Sequence, residues 1–70
     1  MKIFYDKQAD ALSIIFRETT VITKELGEGI AVELDSEGRL AGIEILDAMR
    51  RFGDRDTLRQ VVFEGIGMAS

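Results

Sequence analysis

Residues 29–48 read GIAVELDSEGRLAGIEILDA, two runs of alternating apolar and polar side chains on either side of a cluster of Asp, Ser, Glu and Gly. That pattern predicts a β-hairpin, because successive side chains of a strand point to opposite faces. In the first arm Ile30, Val32 and Leu34 share one face, while Ala31, Glu33 and Asp35 share the other. Residues 35–39 form the turn, where Asp35 or Ser36 bonds local backbone amides and Gly38 supplies the positive φ that a tight hairpin or bulge needs. The second arm, residues 40–46, is apolar on both sides, with Ala41, Ile43 and Ile45 against Leu40, Gly42, Glu44 and Leu46. A strand of that kind belongs inside a sheet, so this arm is expected to be more central than its partner and to hold the centre of the core.

The rest of the chain packs on that hairpin. Residues 2–5 are a short apolar and aromatic run rich in strand formers, and after a polar break at 6–10 Leu12, Ile14 and Phe16 alternate with Ser13, Ile15 and Arg17. Residues 18–26 are rich in β-branched side chains and weakly amphipathic, which predicts a third strand; Gly27 and Gly29 then allow a tight turn into the hairpin. Beyond Ala48 the period changes: Asp47 is placed as an N-cap, residues 48–51 favour helix, and Gly53 ends it. Asp54 and Thr57 mark a second helix start, with Leu58, Val61 and Val62 at helical spacing; residues 60–63 also read as a strand. Residues 65–70 read as a frayed end. The expected fold is α+β, a small antiparallel β-meander of four to five strands in sequential connection with one or two short C-terminal helices. Residues 1–70 form a single domain, with 53–70 as a helical segment and tail.

Composition sharpens this picture. A chain of 70 residues buries only about 60% of the surface that its unfolded state exposes, so its core needs a supplement. With no cysteine and no histidine, neither a disulfide nor the usual structural zinc site provides it. An apolar fraction of 46% in so small a domain therefore points to a homodimer that hides part of that surface. The net charge of −4 is uneven: residues 1–49 carry ten acids and five bases, whereas residues 50–70 carry three acids and four bases. An acidic sheet repels phosphate, so no nucleic-acid partner is expected, and a basic protein is the partner that charge favours. No run is long enough for a membrane span and the N-terminus has no secretory pattern, which makes the cytoplasm the expected location.

The missing His and Cys also exclude the usual activated nucleophiles, and Ser13, Ser36 and Ser70 have no such base. Carboxylates remain. Glu33 and Glu44 lie on opposite arms of the hairpin and are expected to face one another, which with Asp47 and Asp10 makes a candidate carboxylate cluster. A solvated acidic face explains the same residues, and the site carries no assigned metal or cofactor. Tyr5, Asp6 and Asp10 form a second constellation, with Asp10 bonding amides of its own loop. Gly29, Gly38 and Gly42 are given structural turn roles. On one continuous helix Arg51, Arg55 and Arg59 would form a basic stripe; Asp54 and Asp56 dilute it into solvated ion pairs.

Tyr5-Asp6 with Ala9-Asp10-Ala11-Leu12, then Glu28-Gly29-Ile30, Val32, Asp35, Gly38-Arg39 and Gly42-Ile43-Glu44-Ile45-Leu46-Asp47-Ala48, resembles the domain of unknown function 2283 family of small bacterial and archaeal proteins. The resemblance runs from residue 1 to about 52. It departs at Ser13, where an aromatic would follow the leucine. It implies a small β-rich fold with a short helix, no established activity, and an antitoxin or partner-binding role beside small toxin-like proteins. Two readings result: a non-catalytic, homodimeric protein–protein interaction module, and, as the alternative, a carboxylate-based divalent metal binder or hydrolase.

Overall fold

A computed structural model of the protein describes residues 1–65, without the side chain of Arg55. Five strands, β1 (Lys2–Asp6), β2 (Ala11–Ile15), β3 (Ile22–Gly27), β4 (Ile30–Leu34) and β5 (Leu40–Ile45), are followed by helix α1 (Ala48–Phe52) and a 3-10 helix (Arg55–Leu58). All strand pairs are antiparallel, in the order β1-β2-β5-β4-β3. The sheet is therefore not the sequential meander expected. β5 lies between β2 and β4, and the chain crosses from β2 to the far edge before returning through β3 and β4. The reason lies in β5 itself. A sequential meander would leave this strand at an edge with its apolar flanks and backbone open, whereas the central slot gives it a ladder on each side. Ala41 is 1% exposed there, and Gly42 beside it is buried.

The hairpin turn forms as its chemistry requires. The Asp35 carboxylate accepts the amides of Glu37 and Arg39, both at 2.9 Å, while the Gly38 amide returns to the Asp35 carbonyl at 3.0 Å. Gly38 takes φ 79°, a left-handed conformation that glycine adopts without strain. Asp35 also pairs with Arg17 from the β2–β3 connection. β2 stops before Phe16: the amides of Phe16 and Arg17 share the Ala41 carbonyl at 2.8 and 3.3 Å, which ends the regular ladder. β3 begins only at Ile22, so residues 18–21 join the connection.

After β5 the chain turns through Asp47, at φ 53° and ψ 43°, into α1, which Gly53 closes by donating to the Met49 carbonyl. Asp54, extended at φ −161°, caps the 3-10 helix through the Thr57 amide at 3.2 Å. The longer helix expected through Val62 does not form, nor does a strand at 60–63. Val61 and Val62 are 55% and 60% exposed there, so little burial offsets the nucleation cost of a short helix that ends in β-branched residues. The remainder of the expected frayed end, 66–70, lies outside the described residues.

The molecule is a slab of 34 × 31 × 18 Å. Its buried apolar residues are Ala11, Leu12, Ala31, Ala41 and Ala48, and among the described residues no large side chain is fully buried. One sheet with a small cap at one end cannot enclose a core of larger side chains.

Candidate functional site

Residues opposite one another in an antiparallel ladder share a face, so the register sorts the sheet into two surfaces. One face takes Ile3, Leu12, Ile14, Ile43, Ile45, Ile30, Val32, Leu34 and Ile22, with Tyr5 at one end and Lys24, opposite Val32, on the β3 edge. The other takes Lys2, Phe4, Ser13, Ile15, Gly42, Glu44, Ala31, Glu33, Thr23 and Glu25. The apolar face is the unusual one. Leu12 is 5% exposed, but Ile14, Ile43, Ile45, Ile30, Val32 and Leu34 are only half-buried, and Ile3 and Ile22 are exposed.

The four candidate carboxylates separate into two places. Glu33 stands opposite Gly42 and Glu44 opposite Ala31, so the two share the polar face but sit diagonally instead of facing one another. Glu33 lies over Gly42: a Cβ there would come within 2.6 Å of Glu33 Oε1 and 3.0 Å of the Ile14 carbonyl. Gly42 is thus a close-approach residue in mid-strand, not a turn residue, whereas Gly29 and Gly38 do occupy turns with positive φ. Asp10 and Asp47 are at the start of α1. Among the described residues no three Asp, Glu, His or Cys side chains gather to hold a metal ion.

Asp10 does something that its sequence position does not reveal. Asp47 occupies the N-cap position, but its left-handed backbone differs from the β conformation of a side-chain cap, and its carboxylate takes Arg50 at 3.0 Å. Asp10 supplies the cap from 39 residues away: its Oδ1 accepts the Met49 amide at 3.1 Å and the Tyr5 hydroxyl at 2.7 Å. Its carbonyl accepts the Ala48 amide at 3.0 Å. The amides of the β1–β2 loop, expected to bond Asp10, go to Asp6 Oδ1 from Gln8 and Ala9 at 3.0 and 3.2 Å. Beside this junction is a shallow cavity of about 300 Å³ lined by Tyr5, Lys7, Met49, Leu58 and Arg59.

The basic residues do not form a stripe, since the helix breaks at Gly53. Arg50 pairs with Asp47 and Arg59 with Asp56, each at 3.0 Å, as solvated ion pairs; the Arg55 side chain lies outside the described atoms. Arg51 donates to the carbonyls of Leu46, at 2.9 Å, and Glu28, tying α1 to the β3–β4 turn. Sequence reasoning had no signal for that contact, because a guanidinium bonding main-chain carbonyls leaves no paired acid to find.

Over residues 2–48, more than half of the chain, the sequence matches the family described as Protein of unknown function (DUF2283). The chain belongs to the DUF2283 family. No curated protein and no solved structure gives a significant match. The DUF2283 segment contains all five strands, and with them the whole apolar face, Tyr5 and Asp10. Met49, the 3-10 helix and everything after it lie outside the match. Among the described residues no helix is long and apolar enough to cross a membrane.

Proposed function

We propose that this DUF2283 protein is a non-catalytic interaction module that completes its core by pairing with a second copy through the apolar face of the sheet. The observation that carries the reading is the unfinished core: alanines and one leucine are buried, while a face of Ile, Val and Leu, bordered on its β3 edge by Lys24, is half open. The area supports the same reading. A compact protein of 7.8 kDa exposes about 4,400 Å². This chain exposes 5606 Å², roughly 1,200 Å² more, an excess to which the exposed Val61, Val62 and Phe63 contribute as well as the open sheet face. Its radius of gyration of 13.4 Å is also above the roughly 11 Å of a compact chain this long.

Covering the apolar face leaves the polar face free, with Glu25, Glu33 and Glu44. A basic protein is the partner this face fits, which is the form an antitoxin-like role would take, and the acidic balance argues against nucleic acid. The cytoplasm is the location that suits such a module.

Sedimentation equilibrium on the full chain tests the proposal. A particle of twice 7.8 kDa is expected at micromolar concentration. Val32→Lys, which sets a second ammonium opposite Lys24 and carries charge from the β3 edge into the face, is expected to give a monomer that keeps its far-ultraviolet circular dichroism. Thr23→Lys, on the opposite face, is expected to leave the dimer intact. A monomeric wild-type chain, or a Val32→Lys variant that is folded and still dimeric, would overturn the reading.

A further inference from the structure

Val61, Val62 and Phe63 are 55%, 60% and 56% exposed, three consecutive large apolar residues in no helix or strand. An exposed run of that kind has no folding reason, and its composition is that of a strand. It lies outside the family segment, so it is an addition to a sheet that is already whole.

The sheet has two edges, and they differ. β3 is blunted in the ways that discourage pairing: it carries Thr23, Lys24 and Glu25, and its register shifts between Glu25 and Gly27. β1 carries charge only at its two ends, Lys2 and Asp6, with the Lys2 ammonium 5.9 Å from the centre of the Phe4 ring. Its ladder to β2 runs without a shift, and Ile3 and Phe4 are exposed.

We propose that residues 60–64 of one copy add as a sixth strand to the outer edge of β1 of a second copy, antiparallel, with Val62 opposite Phe4. That register sets Phe63 opposite Ile3 and Glu64 opposite Lys2, so apolar residues meet apolar ones and the carboxylate meets the ammonium. A parallel arrangement centred on Phe4 would set Glu64 against Asp6, two like charges in direct opposition, which fixes the direction. Phe63 then joins the face of Ile3 and extends the apolar surface, while Val62 lies with Phe4 on the other. The main-chain bonds supply affinity and the alternating side chains supply register, as in other cases of strand addition. The occupant is a second copy because in the isolated chain the segment stays off its own β1, and because the excess surface calls for association. The inference rests on the dimer reading for the presence of that copy.

The chain has no cysteine, which makes disulfide trapping unambiguous. A Phe4→Cys chain mixed with a Val62→Cys chain of different tag length is expected, on mild oxidation, to give mainly the mixed-chain disulfide. The double variant Phe4→Cys/Val62→Cys is expected to run as covalent dimers on a non-reducing gel. A double variant that closes only within one chain, or a mixture that yields only same-chain-type disulfides or none, would overturn the proposal. A variant ending at Arg59 is expected to raise the dimer dissociation constant about tenfold or more, and an unchanged constant would count against the proposal equally. Sedimentation of the wild-type chain separates the two readings: a dimer with no mixed disulfide defeats the strand addition alone, and a monomer defeats both.

Discussion

Replacing Asp10 with alanine is the perturbation that bears most directly on how this fold is held together. One carboxylate oxygen receives the Tyr5 hydroxyl at 2.7 Å and the Met49 amide at 3.1 Å, so it ties β1 to the start of α1 across 39 residues of chain. Hydrogen bonds to a charged acceptor contribute about 1.5–3 kcal/mol each, and partial exposure places these near the lower end, roughly 3 kcal/mol for the pair. Asp10 also sits at φ 53°, a left-handed conformation that a short polar side chain tolerates somewhat better than alanine does. The expected loss is about 3–4 kcal/mol, a large share of the roughly 4–10 kcal/mol that a chain of this size possesses. At about 4–8 °C per kcal/mol, the melting temperature falls by roughly 12–30 °C. The assay is thermal and urea unfolding followed by circular dichroism at one fixed protein concentration, which keeps any self-association constant between variants. Asp10→Gly should recover about 1 kcal/mol of the loss by removing the left-handed penalty, and Asp10→Asn, which keeps an acceptor oxygen, should cost only about 1 kcal/mol. Asp6→Ala provides the contrast, because among the described residues the Asp6 carboxylate takes the Gln8 and Ala9 amides of its own loop. An Asp10→Ala loss no greater than that of Asp6→Ala would refute the long-range cap.

Other substitutions probe separate parts of the structure. Gly42→Ala should cost about 1–3 kcal/mol by urea titration, because the new methyl meets the Ile14 carbonyl at 3.0 Å in the middle of the sheet. Gly29 has φ 74° and lies under Arg51, whose Nη2 would be 2.7 Å from an added Cβ. Gly29→Ala and Arg51→Ala should therefore each destabilise, and the double variant should lose less than their sum, by about 0.5 kcal/mol or more. Calorimetric titration with magnesium, manganese and calcium should show no saturable heat, given the diagonal offset of Glu33 and Glu44. A binding isotherm that Glu33→Gln abolishes would revive the metal-binding alternative.

Local chemistry was legible in the residues alone. The alternation in 29–48 defined the β4–β5 hairpin and the make-up of its faces, and the Asp35 to Gly38 cluster marked its turn. The two-sided apolar character of the second arm marked it as central, which the strand order bears out. All of these follow from the period-two geometry of a strand or from side chains acting on amides a few residues away. Tertiary structure decided what depends on distant partners. Which strand lies beside β5 is a choice among ladders of equal local quality, made by the need to cover both flanks of that strand. Glu33 and Glu44 meet or miss according to a register that a bulge beside Leu34 sets. Asp10 offers the same carboxylate to its own loop or to a helix 39 residues on, and only packing brought Met49 within reach. The segment at 60–64 is ambiguous for the same reason: its apolar residues suit helix and strand alike, and Val61, Val62 and Phe63 stay more than half exposed, so no packing decides between them.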